Sequence, residues 1–132
     1  MAGSRPPRLG RHHAPLIVVT GTGPGWIRVG AVEYRENLVL RPEHVQTGWA
    51  AGGFPRLQEA DFAALLEGAP EVVLLGTGST LRFPPPRVTR ALAEAHVGLE
   101  VMDTAAACRT YNILMAEGRR VTAALLVEGG SG

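Results

Sequence analysis

Apolar and polar positions follow two different rhythms along this chain. Up to about residue 49 the pattern is one of short β-type segments punctuated by turns: residues 16–20, 26–29, 32–34 and 38–40, with a further strand over 45–49. Gly21-Thr22-Gly23-Pro24-Gly25 turns the first segment into the second, and Pro42 closes the fourth. Short apolar, β-branched runs bounded by Gly and Pro predict antiparallel strands or a meander.

After Gly52-Gly53 the rhythm changes. Residues 59–67 place Phe62, Ala63, Leu65 and Leu66 on one side of a helix, with Gly68 as its stop. A short apolar strand follows over 71–75. Pro84, Pro85 and Pro86 open a second helix, in which Val88, Ala91, Leu92 and Ala95 fall at i, i+3, i+4 and i+7. Arg90 and Glu94 form an i,i+4 pair on its outer side, and Gly98 ends it. The next strand covers 99–102. Thr104 then caps a third helix over 105–117, which stops at Gly118, and the last strand covers 121–127. Strand, helix, strand, helix, strand predicts parallel pairing through right-handed crossovers, and near-continuous apolar runs are those of strands covered on both faces. The expected fold class is α/β, with a β-α-β-α-β C-terminal half and an antiparallel β-rich N-terminal half.

Composition sharpens this picture by exclusion. A chain of 132 residues with 45% hydrophobic and 19% charged positions has enough apolar side chain for one real core. Residues 1–14 stand apart, because Arg5, Arg8, Arg11, His12 and His13 occur there with Pro6 and Pro7, without acids or apolar periodicity. They are expected to be a mobile basic tail, 15–128 one α/β domain, and 129–132 a Gly/Ser tail. A net charge of +1 gives no global field for nucleic acid, so no nucleic-acid partner is expected. All 13 basic residues are Arg. The absence of Lys removes a Walker-type phosphate loop and Schiff-base chemistry. Cys108 is the sole cysteine, which leaves neither an internal disulfide nor a thiolate metal cluster, and it reads as a small buried hydrophobe. No apolar stretch reaches the length of a membrane span, and residues 16–19 are too short for a signal-peptide core. A cytoplasmic protein is expected.

Candidate chemistry gathers where strands end. In open parallel sheets ligands bind outside the carboxyl ends of the strands. Gly76, Thr77, Gly78, Ser79 and Thr80 follow one strand, and Asp103 and Thr104 follow the next. The glycines let backbone N–H groups approach a ligand, the hydroxyls add polar groups, and the third helix brings a positive dipole end. Arg82 and Arg109 add charge. The same residues also make sense as a tight turn and a helix cap, with no ligand at all. Phe83, in the stiff Phe83-Pro84-Pro85-Pro86 loop, has the exposure of a partner-binding residue, whereas Asn112 is suited to tying its helix to a loop. Tyr111 reads as core, and so do Trp26 and Trp49, for which the alternative is a role as interface anchors.

Other readings fail. Neither Gly21-Thr22-Gly23 nor Gly76-Thr77-Gly78 is followed by the third Gly of a dinucleotide fingerprint, since Trp26 and Leu81 stand there. Leu81 also removes Ser79 from a nucleophile elbow. His96 belongs near a helix end, and His44 has no metal partners at a diagnostic spacing. Asp61 and Asp103 are the only aspartates, so paired carboxylates are missing and no catalytic set emerges. No cofactor or metal is expected.

Several spaced motifs nevertheless agree in order. Gly23-Pro24-Gly25-Trp26-Ile27, Gly76-Thr77-Gly78, Arg82-Phe83-Pro84-Pro85-Pro86, Glu100-Val101-Met102-Asp103-Thr104, Ala107-Cys108-Arg109-Thr110-Tyr111-Asn112 and Glu117-Gly118-Arg119 resemble the respiratory complex I assembly factor 3 family. The resemblance covers roughly residues 17–126, and the Arg-Phe-Pro-Pro-Pro form is nearer to its bacterial members, whose function is unknown. It implies a three-layer fold around a central mixed sheet. It also implies a non-enzymatic protein-interaction role in assembling NADH:ubiquinone oxidoreductase, with subunits of that complex as partners. The alternative is a small-molecule or anion-binding protein that uses the strand-end crevice. The family supplies no catalytic residues to transfer.

Overall fold

The computed structural model describes residues 16–128, so the tails expected over 1–14 and 129–132 lie outside the described residues. β1 (Val19–Gly23), β2 (Trp26–Val29) and β3 (Val32–Tyr34) form an antiparallel sheet in that order. Gly25 (φ 79°) and Gly30 (φ 58°) sit in the left-handed conformation that its two tight turns demand.

β4 (Leu38–Arg41) and β5 (His44–Thr47) pair with each other but belong to a second sheet. That sheet has the order β5-β4-β8-β6-β7, where β6 is Val72–Gly76, β7 is Gly98–Met102 and β8 is Val121–Leu125. β6 runs parallel to both β7 and β8, whereas β4 is antiparallel to β8, with Leu38 opposite Leu125. The sheet is therefore mixed. Its parallel part is the C-terminal half, and its antiparallel edge comes from the N-terminal half.

The apolar runs conceal a period of two that the sheet resolves. Leu38, Leu40, Val72, Leu74, Val121, Ala123 and Leu125 face one side, where Ile27 and Val29 of the small sheet meet Ala107, Cys108, Tyr111 and Met115. Those four belong to helix α3 (Thr104–Ala116). Val39, Val73, Leu75, Ala124 and Leu126 face the opposite side, against Trp49, Phe62, Leu65, Val88 and Leu92. With both faces covered, no strand position of β6 or β8 is left for a polar partner in water, which is why the runs look continuous. Trp49 packs edge-on against Phe62 at 5.9 Å and donates its indole N–H to Asp61 O at 2.9 Å.

The helices of the second face are shorter than the periodicity predicts. α1 (Glu59–Ala63) tightens into a 3-10 turn over Ala64–Leu66, and α2 (Arg90–Glu94) is preceded by another over Pro86–Val88. Each has only two large side chains to bury, Phe62 with Leu65 and Val88 with Leu92. One or two turns are enough for that, and tertiary packing rather than length holds them. α2 also ends before Gly98. His96 takes the left-handed position at φ 60°, donating to Ala93 O at 3.1 Å while Val97 donates to Leu92 O at 2.9 Å, the two bonds of a Schellman stop. Gly98 instead opens β7. The expected Arg90–Glu94 pair is replaced, because α1 packs across α2 and brings Glu59 within 3.9 Å of Arg90. α3 ends at Gly118 (φ 81°) as expected, through the same pair of bonds to Met115 O and Leu114 O. Among the described residues no helix is long and apolar enough to cross a membrane.

Candidate functional site

The parallel register brings the ends of three strands together, with Gly76 opposite both Met102 and Leu125. α3 starts immediately beyond, so its first turn presses on the end of β6. A Cβ at Gly76 would lie 2.9 Å from the Thr104 backbone, and only Gly permits that approach. Gly78 is required for a different reason, its left-handed φ of 94°, which strains any residue with a Cβ.

The polar groups at this junction bond mainly to one another. Thr104 Oγ1 accepts from Gly78 N at 2.8 Å and donates to Leu126 O at 2.7 Å, while Thr104 N donates to Gly78 O at 2.9 Å. Thr77, fully buried, donates its N–H to Met102 O at 2.9 Å and its hydroxyl to Thr80 O at 2.7 Å. The same hydroxyl accepts from Arg82 N at 3.1 Å. Arg82 donates to Thr77 O and to Glu128 Oε1, each at 2.6 Å, and its guanidinium lies 4.5 Å from the Phe54 ring centroid. Asp103, not Thr104, is the N-cap of α3, for its Oδ1 accepts from Ala106 N at 2.8 Å. Thr104 is pulled one position into the helix by its bonds to the neighbouring strand ends.

An open cleft of about 450 Å³ adjoins this junction. One wall is the β1–β2 hairpin, with Thr22, Gly23, Pro24, Trp26 and Ile27; the other is Gly78, Ser79, Asp103, Thr104 and Ala105, closed by the chain from Leu126 to Glu128. The charged groups in its lining are the carboxylates of Asp103 and Glu128, and no Arg lines it. Among the residues singled out from the sequence, Gly78, Ser79, Asp103 and Thr104 share this cleft. Gly76, Thr77, Thr80 and Arg82 brace the turn behind them instead. The hairpin wall and Glu128 were missed, although Gly23-Pro24-Gly25-Trp26 stands among the spaced motifs and was the available signal.

Phe83, Arg109 and Asn112 lie outside the cleft lining. Phe83 is 70% exposed. Arg109 is exposed on α3. Asn112 does tie its helix to other structure, but to a strand: Oδ1 accepts from Val19 N at 3.0 Å and Nδ2 donates to Val19 O at 2.8 Å. Tyr111 is buried beside it, and its hydroxyl lies within 3.0 Å of Ile17 O and 3.1 Å of Arg41 O. Burial pushes the Tyr111 phenol upward and the Cys108 thiol up to about 12, the latter against a smaller opposing pull from Arg109. Cys108 is thus a protonated core residue near neutral pH rather than a nucleophile. Among the described residues no three His, Cys, Asp or Glu side chains are grouped to hold a metal.

Fold and junction define a class: a three-layer α/β domain whose strand ends are laced by their own hydrogen bonds, beside a cleft rimmed with carboxylates. The chain belongs to the family described as "Protein of unknown function (DUF498/DUF598)", whose family model matches residues 19–126. An uncharacterized protein of Rhodobacter capsulatus is 36% identical over 115 residues, covering 86% of each chain. The NADH dehydrogenase [ubiquinone] 1 alpha subcomplex assembly factor 3 of Bos taurus is 37% identical over 89 residues, 66% of this chain and 48% of that protein. The chain thus spans about half the length of that assembly factor. The crystal structure of a Bordetella parapertussis protein superposes with a TM-score of 0.82 at 41% identity, covering 89% of this chain and 99% of the other.

Proposed function

We propose that this protein is a non-enzymatic assembly factor that acts through protein–protein contacts during construction of the respiratory NADH:ubiquinone oxidoreductase, working from the cytoplasm. The observation that carries this reading is the 37% identity to an assembly factor of NADH dehydrogenase across two thirds of the chain. The junction supports it. Gly78 N–H, the Thr77 and Thr104 hydroxyls and Arg82 Nη2 are bonded internally, and among the described residues Arg82 Nε is the one buried side-chain nitrogen or oxygen left without a partner, so the strand ends supply few free groups for chemistry. Affinity purification under gentle detergent conditions, from a host that carries the complex, tests it. Subunits of the oxidoreductase are expected to be enriched over a tag-only control; their complete absence would overturn the reading.

A second reading has one observation in its favour, the open cleft of about 450 Å³, a size that suits a small ligand. Its lining carboxylates argue against an anion and for a neutral or cationic polar molecule. In a metabolite screen by thermal shift, this reading expects a hit whose stabilisation disappears in Ser79→Trp. A screen without such a hit removes it.

A further inference from the structure

We propose that the outer edge of β7 is a docking site for an extended, basic segment of a partner protein, which adds to the five-stranded sheet as a further strand. The proposal goes beyond the assembly-factor reading, since it fixes the form and charge of a partner rather than its identity.

β7 stands at the end of the strand order and pairs with β6 alone. Two bonds show which of its backbone groups that pairing uses. Gly98 N donates to Glu71 O at 3.3 Å, and Met102 O accepts from Thr77 N at 2.9 Å. Bonding direction alternates along a strand, so Gly98, Glu100 and Met102 face β6 while Leu99 and Val101 turn their N–H and C=O outward. Among the described residues no backbone group beyond β6 bonds to either of them. The pairing runs without a bulge from Val72 opposite Gly98 to Gly76 opposite Met102, and the strand holds no proline. Leu99, Val101 and Met102 stay half-buried and Glu100 is exposed, so the flanking helices do not cover the edge. A straight, uncovered edge is a template for another strand.

Charge selects the occupant. Two copies joined here in the antiparallel register that satisfies every outward group of Leu99 and Val101 would set Glu100 directly opposite its mate, where like charges repel. The surroundings are acidic as well. Arg119 is pushed upward by its hydrogen bond to Glu71 and further by Glu117 and Glu100, while Arg120 lies in range of Glu71. Three carboxylates thus face two guanidiniums on this flank. On the other flank α2 brings Arg90 and Glu94, and Glu59 of α1 meets Arg90 at 3.9 Å. Arg109 belongs to the far side of α3, within a turn of Asn112, which holds β1; Thr110 is on the near side, 3.6 Å from the Met102 sulfur. With the bases of both flanks counted, the edge keeps an excess of carboxylates. A segment that sets Lys or Arg opposite Glu100 and apolar residues opposite Leu99 and Val101 completes both the ladder and the charge.

The probe is a short peptide of alternating Val and Lys, titrated into the full chain and followed by NMR amide exchange. A Val–Glu peptide and a Val–Lys peptide N-methylated at every amide are the controls. Exchange at Leu99 and Val101 is expected to slow about tenfold at saturating Val–Lys peptide and to stay unchanged with either control. Val101→Pro removes an outward N–H and no ladder bond, and is expected to abolish the protection at Leu99. Glu100→Lys, an exposed change that leaves the fold intact, is expected to turn the preference toward the Val–Glu peptide. No slowing, equal slowing by the Val–Glu peptide, binding that survives N-methylation, or an unchanged preference in Glu100→Lys would each overturn the proposal. So would protection of the two amides in the chain alone, whether it is lost on dilution, as a second copy requires, or on deletion of residues 1–14, as the chain's own basic segment requires. Failure here leaves the assembly role standing, because co-purification of oxidoreductase subunits does not depend on which surface holds them.

Discussion

At the scale of single residues, the Thr104 hydroxyl ties α3 both to the Gly78 turn and to the end of β8, and a Thr104→Val substitution isolates its role. Valine keeps the shape but strands the Gly78 N–H and the Leu126 carbonyl in a buried position. Denaturant unfolding is expected to show a loss of about 2–4 kcal/mol, with Thr104→Ser within about 1 kcal/mol of the parent. Asp103→Asn is expected to keep stability within a few tenths of a kcal/mol, since Asn caps as well as Asp, whereas Asp103→Ala loses about 1 kcal/mol. The sequence identified the pair as a helix start but exchanged their parts. Both are good caps, and only the approach of Gly78 and Leu126 decides that Thr104 faces the strands. Cys108 provides a pH test. Its folded thiol stays protonated up to about 12, against an ordinary 9.0, because it is buried. Unfolded chains therefore bind fewer protons than folded ones between those values. The stabilisation is complete below about pH 9 and declines as pH rises toward 12. Alkaline melting curves should flatten in Cys108→Ala, with Tyr111 retaining part of the slope, as its phenol shifts in the same direction for the same reason.

At the scale of elements, α3 holds the two sheets together through adjacent residues. Asn112 gives β1 the pair of backbone bonds that a neighbouring strand would give, and the Tyr111 hydroxyl reaches Ile17 O and Arg41 O. Replacing Asn112 with Ala is expected to speed amide exchange at Val19 selectively, while the β6 and β8 amides keep their protection. Uniform acceleration throughout both sheets would show that the side chain is not a local tie. Most elements were readable from the chain: the hairpin turns, the three apolar strands, and α3 with its Gly118 stop. What local pattern does not encode is the pairing of β4 with β8, which joins residues about 85 positions apart, such as Val39 and Ala124. It also overstates α1 and α2, because periodicity counts every apolar position whereas packing needs only Phe62, Leu65, Val88 and Leu92. The sequence places His96 near a helix end, but its left-handed conformation was not legible, since Gly98 is the better residue for it.

At the scale of the whole molecule, the strand ends of this family fold are braced from inside, leaving a cleft beside them. The strand-end position of the junction was legible in Gly76-Thr77-Gly78 and Asp103-Thr104, because parallel strands must end together there. The hairpin wall was not, because the packing that sets the β1–β2 hairpin across the cleft from α3's first turn is tertiary. The assembly role is tested most directly by quantifying the fully assembled NADH:ubiquinone oxidoreductase on native gels of host membranes, with and without this protein. A marked fall in assembled complex is expected when the protein is deleted, with subunits accumulating in smaller forms and recovery on its return. An undiminished level of assembled complex in the deletion strain would contradict it.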